Sequence, residues 1–293
     1  MLKCILFKPC CYVIYLAIFC FSCQTKSLRT DPLIVLDYVK QKPLEGDWLM
    51  EHKESGQNFD AYCSSSPIRS TQECPYLYIV GMGEPSEQKL KILLTVQKGL
   101  SAFYQIPVRI LADLPHHSMP QGHIRENGQW DAKWIIDKIL PKHFPDSAMA
   151  LIAFTEQDLY PGNDWNYVFG LASLKNRVGV WSYARFECEC AGEIAEKMCY
   201  MRTLHVAIHE TGHMFGIKHC ISFECCMNGS NSLFELDRQE NRMCHECLAK
   251  VCWNRAISPG KHVQAMLEFY SDYLPDTSLI SYYRSAQECL KKP

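Results

Sequence analysis

The chain lacks any pronounced excess of charge. Its 30 Lys and Arg against 32 Asp and Glu leave a formal net charge of -2, so no field of one sign recruits nucleic acid or an acidic membrane surface. Internal repeats and low-complexity tracts are absent, which sets aside repeat arrays. Long apolar runs are scarce too. The most conspicuous, Pro9 to Phe21, is too short for a confident membrane-spanning helix. With 47% hydrophobic and 21% charged residues over 293 positions, the chain can bury a full core and is not of the disordered class. The length suits one large domain behind a short N-terminal extension.

Local patterning points to an α/β fold. Pro75 to Gly81, Pro107 to Leu111 and Met149 to Phe154 are short apolar runs of the kind found in buried strands. Ser86 can cap a helix reaching Tyr104, with Leu90, Leu93, Leu94, Leu100 and Phe103 on its apolar face. Asp131 to Leu140 predicts a second helix, bearing Trp134, Ile135 and Ile139. Val168 to Phe186 reads as one or two strands broken near Lys175-Asn176-Arg177, and Lys261 to Tyr273 as a late helix after Pro259. Leu28 to Ser70 looks mostly irregular, with Gly46-Asp47-Trp48 inside it.

The chemistry is concentrated in His209-Glu210-Thr211-Gly212-His213-Met214-Phe215-Gly216-Ile217-Lys218-His219, which reads H-E-x-x-H-x-x-G-x-x-H. On a helix, residues four apart share a face, so His209 and His213 can grip one metal. Apolar residues upstream, from Ile194 to Ile208, carry helical spacing. Glu210 stands where it can take a proton from a metal-bound water. Gly216 can adopt a positive φ that ends the helix and turns the chain, letting His219 arrive as third ligand. Three nitrogens leave one tetrahedral position open, which is the arrangement of a catalytic zinc. Two satisfied histidines on a half-buried helix would be the ordinary reading of any single His here; the full string outweighs it. His205, one turn earlier, is expected to be a core or solvated histidine, because three ligands already complete the motif.

Further residues follow at suggestive spacing: Cys220, Cys225, Cys226-Met227, and Cys244-His245-Glu246-Cys247. The combined pattern resembles the archaemetzincins, a branch of the metzincin metallopeptidases, and Asp158 to Pro161 and Phe169 to Ser173 look like segments of the same family. The resemblance implies an α/β metzincin-like zinc metalloprotease domain with a twisted mixed sheet, a zinc-binding active-site helix, a methionine turn at Met227 beneath the histidines, and a four-cysteine zinc subsite. It implies two zinc ions per chain. One is catalytic, on His209, His213 and His219 with Glu210 as general base; the other is structural, on Cys220, Cys225, Cys244 and Cys247, a closed shell of four thiolates. Cys226 doubles the second cysteine, and the C-x-M spacing favours Cys225. Disulfides are the competing use of these cysteines.

The implied function is a zinc-dependent peptidase in which Glu210 assists a zinc-bound water, acting on small peptides; exo- and endo-acting modes are both open. The alternative is a zinc-stabilised peptide- or protein-binding module, for which an intact Glu210 has no use. Tyr160, Tyr183 and Asp158 are candidates for an oxyanion donor or substrate contact, and His116 and His117 read as surface residues. An edge strand from Val168 to Leu174 or from Arg177 to Tyr183 is expected to pair with extended substrate.

The N-terminus carries Lys3 and Lys8, the apolar run, and Ser22 before Cys23. This reads as an export signal over residues 1–23, with lipidation at Cys23 as a less well matched variant and an uncleaved apolar N-terminus as the alternative. Residues 24–74 then form an N-terminal extension and 75–293 the catalytic domain. An exported protein is expected, secreted, periplasmic or lipid-anchored, against a cytoplasmic alternative; membrane anchoring is expected through the N-terminus only. The expected partner is a peptide or protein substrate, with no nucleic acid, and the chain is expected to be a monomer. Export sits uneasily with four reduced cysteines unless zinc protects them.

Overall fold

A computed structural model describes residues 30–162, 166–186 and 192–292. The expected export segment, with its cysteines at positions 4 to 23, lies outside the described residues. The described residues form seven strands: β1 (Tyr76–Met82), β2 (Val108–Ile110), β3 (Trp130–Asp131), β4 (Ala148–Thr155), β5 (Leu159–Tyr160), β6 (Gly170–Ser173) and β7 (Val178–Ser182). The main sheet runs β2-β1-β4-β7-β6. Its first four strands are parallel, while β6 returns antiparallel to β7 as the edge. The sheet is mixed, as the sequence predicts. β3 and β5 form a separate parallel pair.

Both faces of the sheet are covered, which is why β1 and β4 read as unbroken apolar runs. Leu77 and Ile79 of β1, with Ala150, Ile152 and Phe154 of β4, face one core. Tyr78, Val80 and Met82, with Leu151 and Ala153, face the other. The first core holds α3 (Glu87–Tyr104) and α5 (Glu193–Met214). Ser86 caps α3 by accepting from Lys89 N at 3.0 Å. The face of α3 that packs is Ile92, Leu93, Val96, Leu100 and Phe103; Leu90, expected on it, is 54% exposed. Where α3 meets α5, a Cβ on Gly99 would lie 2.4 Å from Leu204 Cδ1. The small residue thus lets the two helices approach.

The helix expected from Asp131 to Leu140 changes character along its length. Asp131 caps a short α4 (Ala132–Trp134) by accepting from Trp134 N at 3.0 Å. The chain continues as a π-helix over Ile135–Ile139 and a 3₁₀ turn over Leu140–His143. Pro141 has no N–H with which to continue the ladder.

The C-terminal part is more helical than its sequence suggests: α6 (Leu233–Asp237), α7 (His245–Arg255), α8 (Pro259–Asp272) and α9 (Thr277–Lys291). Residues 30–74 include a 3₁₀ turn (Asp31–Leu36) and two short helices, α1 (Trp48–Glu51) and α2 (Phe59–Ser64). They lie along the cysteine-rich region, through a bridge between Val39 and Phe223 and bonds from Lys40 N to Ser222 O at 3.0 Å and Glu224 N to Tyr38 O at 2.8 Å. Among the described residues, no helix is long and apolar enough to cross a membrane.

His262 of α8 is buried, with its ring edge-on to Phe103 and Nδ1 bonded to the Phe103 carbonyl at 2.8 Å. Burial pushes its pKa down to about 4. A lowered folded-state pKa means that stability is fully present above about 6.5, the unfolded value, and is lost as pH falls toward the folded one. The stability gap between the wild type and His262→Gln is expected to narrow by about 2 kcal/mol between pH 7 and pH 5. Urea unfolding at the two pH values reads it, and an unchanged gap refutes the assignment.

Candidate metal and active site

The site grows from the C-terminal end of α5. This helix carries His209, Glu210 and His213. It ends in a turn in which Gly216 takes φ +81°. Gly216 N donates to His213 O at 2.8 Å and Ile217 N to Gly212 O at 3.0 Å, the paired bonds that close a helix through a left-handed residue. The chain reverses there and returns His219 to the other two rings. Their centroids lie 4.6, 5.2 and 4.9 Å apart in pairs, and one nitrogen from each can be chosen so that all lie within 4.8 Å of one another.

Which nitrogen faces inward follows from the other one. His209 Nδ1 is bonded to Cys226 O at 2.7 Å, His213 Nδ1 to Ile217 O at 2.6 Å, and His219 Nδ1 to the Glu54 carboxylate at 2.9 and 3.0 Å. A carbonyl or carboxylate can only accept, so each Nδ1 carries a proton and Nε2 is the nitrogen left for a metal. Burial, followed by the neighbouring His213 and His219 rings, holds the His209 pKa well below its ordinary value. Burial, then His213, lowers that of His219. Three convergent imidazoles, each with Nε2 left for a ligand bond, fit a zinc ion. Glu210 has its pKa raised by burial, an effect that His213 partly offsets.

Below α5 lies Met227, fully buried. A Cβ on Gly212 would sit 2.6 Å from its Sδ, so the glycine inside the motif is the surface on which the methionine rests. Met227 O accepts from Cys220 N at 2.8 Å. Next to it, Cys220, Cys225, Cys244 and Cys247 bring their sulfurs within 4.8 Å of one another, all buried. None is disulfide-bonded, and Cys220 and Cys244 Sγ stand 3.8 Å apart, far beyond a covalent S–S length. Backbone N–H groups point at the sulfurs: Met227 and Cys244 at Cys225, and Cys247 at Cys244. Hydrogen bonds from Cys225, Cys244 and Cys247 depress the Cys220 thiol far below its usual range, while that thiolate and Cys225 push Cys244 up. Four buried cysteine sulfurs this close, none in a disulfide, form a donor set that suits zinc. Cys226 stays out of the cluster; its carbonyl serves His209.

A cleft of about 440 Å³ opens over His209, Glu210 and His219. Its walls include Phe169 and Gly170 at β6, Val206 of α5, Leu236 of α6, and Trp48 from the N-terminal segment. Among the described residues β6 ends the sheet, whereas β7 lies between β4 and β6.

The remaining candidates fall elsewhere. His205 is buried, with Nδ1 on Asn241 Oδ1 at 2.6 Å, and does not join the triad. Asp158 is held by Arg185 at 2.8 and 2.6 Å and by Gln129 at 2.8 Å. Tyr183 OH bonds Glu156 at 3.2 Å, and Tyr160 covers the Arg125 guanidinium at 3.8 Å. None of these three lines the cleft, whereas Tyr167 does. His117 is exposed, and the half-buried His116 packs edgewise on Trp130 at 5.1 Å. Glu54 and Trp48 escape a reading of the sequence, since neither stands at a motif spacing.

The chain is similar to several known proteins. The model of "Peptidase family M54" matches residues 131–252. An archaemetzincin of Pyrococcus furiosus is 30% identical over 180 residues, spanning 60% of this chain and 91% of that protein. Human archaemetzincin-2 is 29% identical over 269 residues, 79% of this chain and 74% of that one. The crystal structure of the archaemetzincin from Methanopyrus kandleri superposes with a TM-score of 0.50 at 25% identity, covering 62% of this chain and 96% of that one. The chain belongs to the archaemetzincin family and is a zinc metallopeptidase.

Proposed function

We propose that this metallopeptidase cleaves small peptides with Glu210 as its proton carrier, around a zinc held by His209, His213 and His219. A second zinc, on Cys220, Cys225, Cys244 and Cys247, braces the site. The observation that carries this reading is the convergence of three histidine rings from a single helix and its turn, two of which, His209 and His219, line one cleft together with Glu210. Bound zinc supplies Lewis acidity, polarising the scissile carbonyl and lowering the pKa of water.

The chain's own residues do the rest. The outer edge of β6 can pair with an extended peptide backbone, laying it across the histidines. Glu210 takes the proton from the attacking water and returns it to the departing amine. Its raised pKa, caused by burial, suits a group that must both accept and release a proton. The modest cleft, walled on one side by Trp48, favours small peptides over folded proteins. Export through residues 1–23 belongs to the same reading, supported by Lys3, Lys8 and the apolar run that follows.

Glu210→Gln keeps the shape and removes the base. It is expected to lower kcat for peptide cleavage by roughly 10²- to 10⁴-fold while binding as much zinc as wild type; equal turnover in both sinks the role of Glu210. Metal analysis is expected to find two zinc ions in the wild type and one in Cys244→Ser, with activity lost as well, because His219 adjoins Cys220. One zinc in both proteins rules out the cysteine site. Sequencing the mature N-terminus is expected to begin at or after Cys23, and an intact Met1 removes export.

A further inference from the structure

In the histidine triad, two Nδ1 atoms are held by backbone carbonyls, and the third by a side chain from far along the sequence. Both Glu54 carboxylate oxygens lie at 2.9 and 3.0 Å from His219 Nδ1. Among the described residues, Glu54 makes no other hydrogen bond or ion pair. It comes from the stretch between α1 and α2, well upstream of the residues that the family model matches.

Its neighbours bind the same return loop. Gln57 brackets it, donating from Nε2 to Gly216 O at 3.2 Å and accepting from Lys218 N at 3.1 Å. Tyr62 OH donates to Phe215 O at 2.9 Å and accepts from Asn254 at 2.8 Å. The Trp48 ring stands edge-on to His219, with centroids 5.1 Å apart. Residues 48 to 62 therefore form a strap over the loop that delivers the third histidine.

We propose that the negative charge of Glu54, carried on this strap, is a working part of the catalytic metal site, as a positioning residue that acts through His219. The inference rests on the reading of the three histidines as zinc ligands. A carboxylate accepting from Nδ1 does two things: it leaves Nε2 as the nitrogen for the metal, and it raises the basicity of that nitrogen. A carbonyl achieves the first and supplies less of the second, because it carries no net charge. Glu54 thus compensates where geometry is weakest. His209 and His213 are fixed on one helix, while His219 sits beyond a turn and owes its place to contacts made by the strap.

The test is zinc affinity in the full chain, read by chelator competition, with His213→Ala identifying the zinc population that belongs to the triad. Glu54→Gln keeps the acceptor and the shape but removes the charge. It is expected to weaken the triad's zinc by roughly 10- to 100-fold, leaving the cysteine-bound zinc and the melting temperature of zinc-stripped protein unchanged. Gln57→Ala loosens the same strap with the carboxylate intact and is the comparator. Wild-type affinity in Glu54→Gln overturns the proposal, and so do equal losses in the two variants, which leave the strap a mere clamp. If the wild type holds no zinc that depends on His213, the ligand reading itself fails and this inference falls with it.

Discussion

Three hydrogen bonds made by histidine Nδ1 atoms govern the site. By ending on acceptors that cannot donate, they place a proton on each Nδ1 and leave Nε2 of His209, His213 and His219 as the nitrogen available to a metal. Burial keeps two of the rings neutral even before metal is considered. The three acceptors come from different parts of the chain: the cysteine loop, the turn after α5, and the N-terminal strap. The metal-binding geometry is therefore only as good as the docking of these three pieces on one helix.

The cysteine cluster and the histidine cluster are joined at several points. Cys220 follows His219 directly, the Cys226 carbonyl holds His209, and Met227 links the two by accepting from Cys220 and resting on Gly212. The methionine fills space that any side chain at position 212 would claim. This explains why the residue between Thr211 and His213 has no side chain, although glycine costs about 1 kcal/mol relative to alanine within a helix. Four sulfurs packed without disulfides would be a poor structural element by themselves. Around the second zinc proposed above they would become a rigid plate against which α5 and its return loop are set.

Much of this was legible in sequence because the relevant spacings are local. The i, i+4 histidines and the glycine that ends α5 lie within a few turns of one another, and helical geometry carries them directly to one place; the cysteines could be read only from their paired spacing. The buried strands could be read because both faces are covered, leaving unbroken apolar runs. Other elements were harder. α9 has a cap at Asp276 and an apolar stripe at Leu279, Tyr283 and Ala286, a helical pattern interleaved with exposed polar residues. The Asp131 helix loses α geometry after Trp134, and no propensity marks that change.

Local spacing in the sequence set which residues meet on α5: two histidines on one face, a carboxylate beside the first, and the glycine at which the helix ends. Tertiary structure decided everything that depends on contacts between distant segments. It chose Cys225 over Cys226, left β6 at the end of the sheet, gave Asp158, Tyr160 and Tyr183 other partners, and brought Glu54 to His219 across an irregular stretch. The physical reason is one of range. Ligand spacing along a helix is fixed by backbone geometry, whereas an acceptor 165 positions away reaches its histidine only after the core has packed.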